Sequence, residues 1–249
     1  MTIANTPSHW GWLILLCSTI IVALTFEHSQ LDVYISELFY ANGHWLLEKG
    51  AQPYAFIFYD FPKLLLILLA VYLMIVLMIV LMIVLMIKYR QLVNATPSIN
   101  YSKFNRFLIA LSFREISCLL IILIVVPTLI ATLKGITHVS CPNQLRLFNG
   151  DLPYLNLWQD MNIMMPTRCF PAAHASAGFA LYGFAYLPSL KKQQVNIIIL
   201  ASILGWTMGL YKMLIGDHFF SHTLVSMLLS WTIAYVIAMI FFPKTIELC

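Results

Sequence analysis

An all-α bundle of six transmembrane helices is the fold class this sequence predicts, on three observations. Hydrophobic residues make up 61% of the 249-residue chain. Charged residues make up only 10%, with a mean hydropathy of +0.86. A soluble domain carries about a quarter charged residues, so this composition cannot cover a water-facing surface. Six stretches are long enough, or nearly so, to cross the ~30 Å hydrocarbon layer as helices. The chain therefore reads as one polytopic membrane domain over residues 1–249. A net charge of +4, with no basic run interleaved with aromatics, argues against nucleic acid as a partner.

The first stretch runs from about Trp10 to Phe26. No Lys or Arg precedes it and no small-residue cleavage site follows, so a retained helix is expected rather than a signal peptide. The polar segment Glu27 to Lys63 comes next, and its many aromatics suit the membrane interface. No residue in it has an assignable role. The second helix, Leu64 to Ile87, carries Leu-Met-Ile-Val repeats from Leu73 and is expected to face lipid with no preferred side. After a basic link from Lys88 to Arg106, the stretch Phe104 to Glu115 is expected to lie at the interface, keeping Arg114 and Glu115 out of the lipid core. The third helix, Ile116 to Leu133, passes through Pro127, which a membrane helix tolerates. A long loop, Lys134 to Pro171, leads to a fourth helix from Ala172 to Leu187. Helix five spans Val195 to Ile215, a tight turn holds Gly216 and Asp217, and helix six reaches Phe242.

Orientation follows from where Lys and Arg gather. One side holds Lys88, Arg90, Lys103, Arg106, Arg114, Lys191, Lys192 and Lys244. That side, with both termini, is expected in the cytoplasm. The Lys134 to Pro171 loop and the Gly216 to His218 turn then face outward, toward the periplasm if the membrane is a bacterial inner membrane.

Three polar clusters share that outward edge. Lys134 to Pro142 closes the third helix, Arg168 to Ser176 enters the fourth, and Tyr211 to His222 spans the turn between the last two. A phosphate ester carries up to two negative charges, which Lys and Arg neutralise and free N–H groups at a helix start can cradle. Imidazole can attack phosphorus, and a second imidazole can protonate the departing oxygen. The residues alone support phosphoryl transfer on histidine.

These clusters resemble the signatures of the type 2 phosphatidic acid phosphatase superfamily, which read K-x6-R-P, P-S-G-H and S-R-x5-H-x3-D. Lys134 and Pro142 match the first, with Cys141 where Arg usually stands. Pro171 and His174 match the second, with Ala172 and Ala173 replacing Ser and Gly. Lys212 and His218 fit the third, with Tyr211, Lys212 and His222 replacing Ser, Arg and Asp. The signature-bearing core covers residues 134–231. The resemblance implies an integral-membrane phosphatase of lipid phosphomonoesters or diphosphates that needs neither metal nor cofactor. His218 would form a phosphohistidine, His174 would act as acid and then base, and His222 would orient the nucleophile. Lys134 and Lys212, with Arg168 and the backbone of Ala173, would hold the phosphate. Its partners would be the lipid substrate and surrounding membrane lipids.

The departures leave alternatives open. Lys212 keeps charge but loses the bidentate fork of Arg, and Arg168 and Arg146 are the candidates to replace the guanidinium missing at Cys141. His222 can accept a ring N–H from His218 but brings no carboxylate charge, while Asp217 is the nearest carboxylate in sequence. The His218-x3-His222 spacing also resembles a helical metal pair, though no third ligand is evident. Cys141 and Cys169 lie beside two signatures on the outward side, where a disulfide would clamp one loop to the other. A lipid-to-lipid phosphotransferase, or a non-catalytic membrane protein that keeps the fold, are the other functions the residues allow. Oligomeric state is not legible.

Overall fold

The computed structural model describes residues 10–27, 29–93 and 111–243. Among these, the α-helices are α1 (Gly11–Glu27), α2 (Leu31–Glu37), α3 (Phe61–Val93), α4 (Phe113–Thr137), α5 (Leu157–Ile163), α6 (Ala173–Phe179), α7 (Gln194–Leu214) and α8 (Phe220–Phe241). A π-helical turn, Phe56–Asp60, leads into α3, and α6 continues as a 3-10 helix over Ala180–Tyr186. Strands β1 (Tyr40–Ala41) and β2 (His44–Trp45) form an antiparallel hairpin. Its turn uses Asn42 and Gly43, both at positive φ, the pairing that a tight hairpin requires. This small hairpin and a single bridge between Leu145 and Leu152 are the only β pairing among the described residues.

Four helical stretches are long and apolar enough to cross a membrane: Phe56–Met82, Phe113–Gln144, Pro188–Leu214 and Phe220–Phe241. Helices α1 and α2, bent by 74°, make a fifth span if the pair is counted together. The apolar helices mark an integral membrane protein, and the described residues supply four or five candidate spans where six were expected. The stretch expected as a fourth spanning helix is the one that differs. It has 7 α-helical residues and then 7 in the tighter 3-10 form. Leu187 is extended and Pro188 follows, a residue that disfavours helix immediately before it.

This short element is the centre of the bundle and packs against α4, α7 and α8. Small residues make that possible. A Cβ on Gly178 would sit 2.8 Å from the Gly205 backbone of α7, so the two helices touch backbone to backbone. Phe179 and Tyr182 are fully buried. The Tyr182 ring stacks on Trp231, 4.8 Å between centroids, and its hydroxyl pairs with Ser202 at 2.8 Å. Replacing Gly178 with Val should force α6 and α7 apart and lower stability by about 1–3 kcal/mol, read as a reduced melting temperature in detergent.

The outer helices are less enclosed. Helix α1 lies along α8, and α3 lies along α4. From Leu73 on, Leu73, Val76 and Val80 are the buried positions among the described side chains of α3, forming one stripe, while most of its other described side chains are exposed as a lipid-facing helix requires. The repeats therefore do have a packed face, one that a wholly apolar sequence cannot reveal. Helix α4 starts at Phe113, capped by Ser112, with Glu115 closing the capping box. Glu115 is buried in protein and also accepts the Ser189 N–H at 2.8 Å. It is thus a structural anchor rather than an interfacial charge. Residues 104–110, and the basic residues Lys103, Arg106 and Lys244, lie outside the described residues.

Candidate active site

The polar segment after α1 folds over one end of the bundle, where α4 ends, α6 begins and α7 turns into α8. Gly216 in that turn has a φ of +74°, and any Cβ there would strike the Trp45 indole of the hairpin. The Leu47 N–H donates to the Leu214 carbonyl at 3.3 Å. Asp32 of α2 reaches the first turn of α8, accepting the Ser221 N–H at 2.9 Å and also its hydroxyl. A carboxylate is favoured at a helix N-terminus by the unpaired N–H groups and the dipole. Asp32 thus fixes the start of the helix that carries His222.

Beneath this cover the three clusters meet. His174, second residue of α6, and His218, in the α7–α8 turn, have ring centroids 6.2 Å apart. His222, one turn into α8, packs its ring edge to face with His218 at 5.9 Å. His218 and His222 are both 2% exposed. Burial chiefly, then the nearby His222, Lys134, His174 and Lys212, hold the His218 imidazole well below its ordinary pKa, so it is neutral with a free lone pair. The Nδ1 atoms of His174, His218 and His222 are buried without a hydrogen-bond partner among the described residues. The His222 ring also bonds the backbone of Cys169.

Lys212 is buried, and its Nζ donates to Asp217 Oδ2 at 2.9 Å. The other oxygen of Asp217 accepts the Asn143 side-chain N–H at 3.1 Å and lies 3.7 Å from Lys49. Asp217 is therefore the partner of Lys212 and makes no bond to His218. Lys134, in the last turn of α4, lies within electrostatic reach of His174, His218 and Lys212. Ala173 opens α6 behind Ala172, which supplies no side-chain cap, so the first N–H groups are left for another acceptor.

Two arginines stand apart from this arrangement. Arg168 is exposed on the loop beside Cys169, with no hydrogen bond or ion pair among the described residues. Arg146 donates its Nε–H to the Asp151 carbonyl at 3.1 Å. Cys141 and Cys169 form a disulfide, their Cα atoms 5.2 Å apart, joining the loop after α4 to the approach to α6.

Tyr59 and Asn143 belong to the site without having been singled out by any motif. The Tyr59 ring lies 5.2 Å from His174, and the Lys212 ammonium sits 4.8 Å from its centre. The ring thus offers Lys212 a cation–π partner opposite Asp217. The aromatic richness of the Glu27–Lys63 segment was the available signal, but it marked an interface rather than a residue.

Neither the curated proteins nor the solved structures searched give a match. A family model described as the PAP2 superfamily matches residues 115–246, more than half of the chain. That match runs through all three clusters, from the start of α4 past the end of α8, and with them the chain belongs to the PAP2 superfamily.

Proposed function

We propose that the protein is an integral-membrane phosphatase that hydrolyses a phosphomonoester or diphosphate of a membrane lipid through a phosphohistidine. The observation that carries this reading is the pair His174 and His218, 6.2 Å apart and within electrostatic reach of Lys134 and Lys212. One phosphoryl group can reach both rings at that separation. Superfamily membership supports phosphatase-type chemistry; the lipid substrate is our inference from the helices that carry the site.

In the first step a His218 ring nitrogen attacks phosphorus, and the bond from phosphorus to the leaving oxygen breaks as His174 donates a proton to it. In the second, His174 takes a proton from water, whose oxygen attacks phosphorus. The phosphorus–nitrogen bond breaks, releasing phosphate and restoring neutral His218. Lys134 and Lys212 offset the charge on the phosphoryl oxygens, which strengthens toward the transition state. Lys212 exchanges its Asp217 contact for substrate, and the first N–H groups of α6, from Ala173 onward, add neutral donors. Arg168 is left as an interfacial charge that a long headgroup could meet. The basic loops orient both termini to the cytoplasm and the site outward, on a bacterial inner membrane.

The test is phosphate release by detergent-purified protein from a panel of lipid phosphomonoesters and diphosphates, with a second lipid alcohol offered as acceptor. Release to water supports the phosphatase. Transfer to the alcohol instead marks a phosphotransferase, and no turnover by folded protein on any substrate overturns the enzyme reading.

A further inference from the structure

We propose that Asp32 is a positioning residue for this reaction, supplying His222, across a small polar cavity, with the negative charge that a carboxylate at position 222 would give His218 directly. The inference rests on the reading of His218 as nucleophile.

His222 is 2% exposed, and its Nδ1 is unpaired, while its ring packs on Phe170, Phe219 and His218 and bonds the Cys169 backbone. It also lines a cavity of about 40 Å³. Carboxylates of Glu27, Asp32 and Asp160 and hydroxyls of Ser140, Ser221 and Tyr154 share the lining. Among the described lining residues there is no Lys or Arg, and His222 is the only base. The volume accommodates about two water molecules, and the walls offer each of them the several polar partners that buried water needs.

The acids come from separate elements and are individually held. Glu27 ends α1 and accepts the Trp158 N–H at 3.1 Å. Asp160, on α5, accepts the Ser140 N–H at 2.6 Å and its hydroxyl at 3.1 Å. Asp32 takes both of its bonds from Ser221, the residue immediately before His222, so one peptide links the carboxylate's anchor to the histidine that lines the same cavity. Lys134, the cation that acts on His222, does not line this cavity.

Attack by His218 on phosphorus makes its ring cationic, and its other N–H must then be accepted. A neutral His222 accepts it poorly unless the positive charge it takes on is balanced. Asp32, fixed by α8 itself, provides that balance through the water-sized gap, whose lining Asp160 shares. Outer partners of this kind change activity by about 10–100-fold when removed.

The experiment is Asp32→Asn, made in the native chain and in a His222→Asp background. Asn keeps an acceptor for the Ser221 N–H, so the start of α8 is preserved. In the native chain kcat should fall about 10–100-fold with KM and melting temperature little changed, and Asp32→Glu should recover most of it. With Asp at position 222, Asp32→Asn should cost less than about twofold, because the charge is then supplied directly. A merely structural role predicts the same loss in both backgrounds, and that result, or no loss in the native chain, overturns the proposal. Binding of orthovanadate, which takes up the five-coordinate geometry of the transferring group, reads the same effect without turnover. Asp32→Asn should weaken vanadate while leaving inorganic phosphate unchanged, and equal affinity of both variants for vanadate counts against the proposal. A protein with no phosphatase activity but a vanadate affinity that depends on Asp32 separates failure of the proposed function from failure of this inference.

Discussion

Replacing His218 with alanine should lower lipid phosphate hydrolysis by at least ~10³-fold, because the proposed intermediate forms on that ring. Substrate should still bind, since Lys134, Lys212 and the start of α6 are untouched. His174→Ala should cost about 10²–10⁴-fold on a lipid phosphate, whose alkoxide needs a proton to leave. The loss should be smaller on p-nitrophenyl phosphate, whose phenolate leaves unprotonated. That contrast distinguishes an acid from a residue that only shapes the pocket. Inorganic phosphate released over time from matched, folded preparations is the measurement. If release survives both substitutions, the histidines do not carry the reaction.

The second large effect concerns the Cys141–Cys169 bridge, which spans a sequence separation of 28. Closing a loop of that size restricts the unfolded chain by about 3–4 kcal/mol in the chain-entropy account. The paired Cys141→Ser, Cys169→Ser variant should therefore melt at a clearly lower temperature than the native protein. It should also turn over more slowly. Cys169 is bonded to the Val139 carbonyl through its N–H at 2.9 Å, and its own backbone holds the His222 ring. Loosening this loop frees His222, the residue proposed to orient His218. Alkylation of folded protein without reductant should leave both thiols unmodified, and with reductant should modify both. Modification of both without reductant would exclude the bridge.

Long apolar stretches are legible because crossing hydrocarbon is a local demand on composition, and α1, α3, α4, α7 and α8 follow from it. The three clusters were legible too, since each keeps its chemistry within about a dozen residues. What stayed hidden depends on distant partners. Ser221 lies 189 positions from Asp32, and no local pattern in Leu31–Glu37 says that one of its acids will anchor α8. Asp217 adjoins His218 in sequence, yet its carboxylate turns to Lys212 and Asn143, because turn geometry rather than adjacency sets direction. Tyr59 entered the site from a segment readable only as interfacial. The Ala172–Leu187 stretch looked like a span because its residues are apolar. Their small size, which lets neighbouring backbones close around a short central element, is a packing property that hydropathy does not register.

The stripe on α3 has a consequence for chain length. From Leu73 the sequence repeats Leu-Met-Ile-Val, and the stripe that meets α4 is Leu73, Val76 and Val80. Sliding α3 along its neighbour by one repeat advances it about 6 Å and rotates it about 40°. The side chains then brought to the seam are the same types as those that left. The contact therefore has little power to fix a unique register. Removing or adding one four-residue unit should be tolerated here as nowhere else in the described chain, letting this helix fit bilayers of different thickness while the catalytic end stays in place.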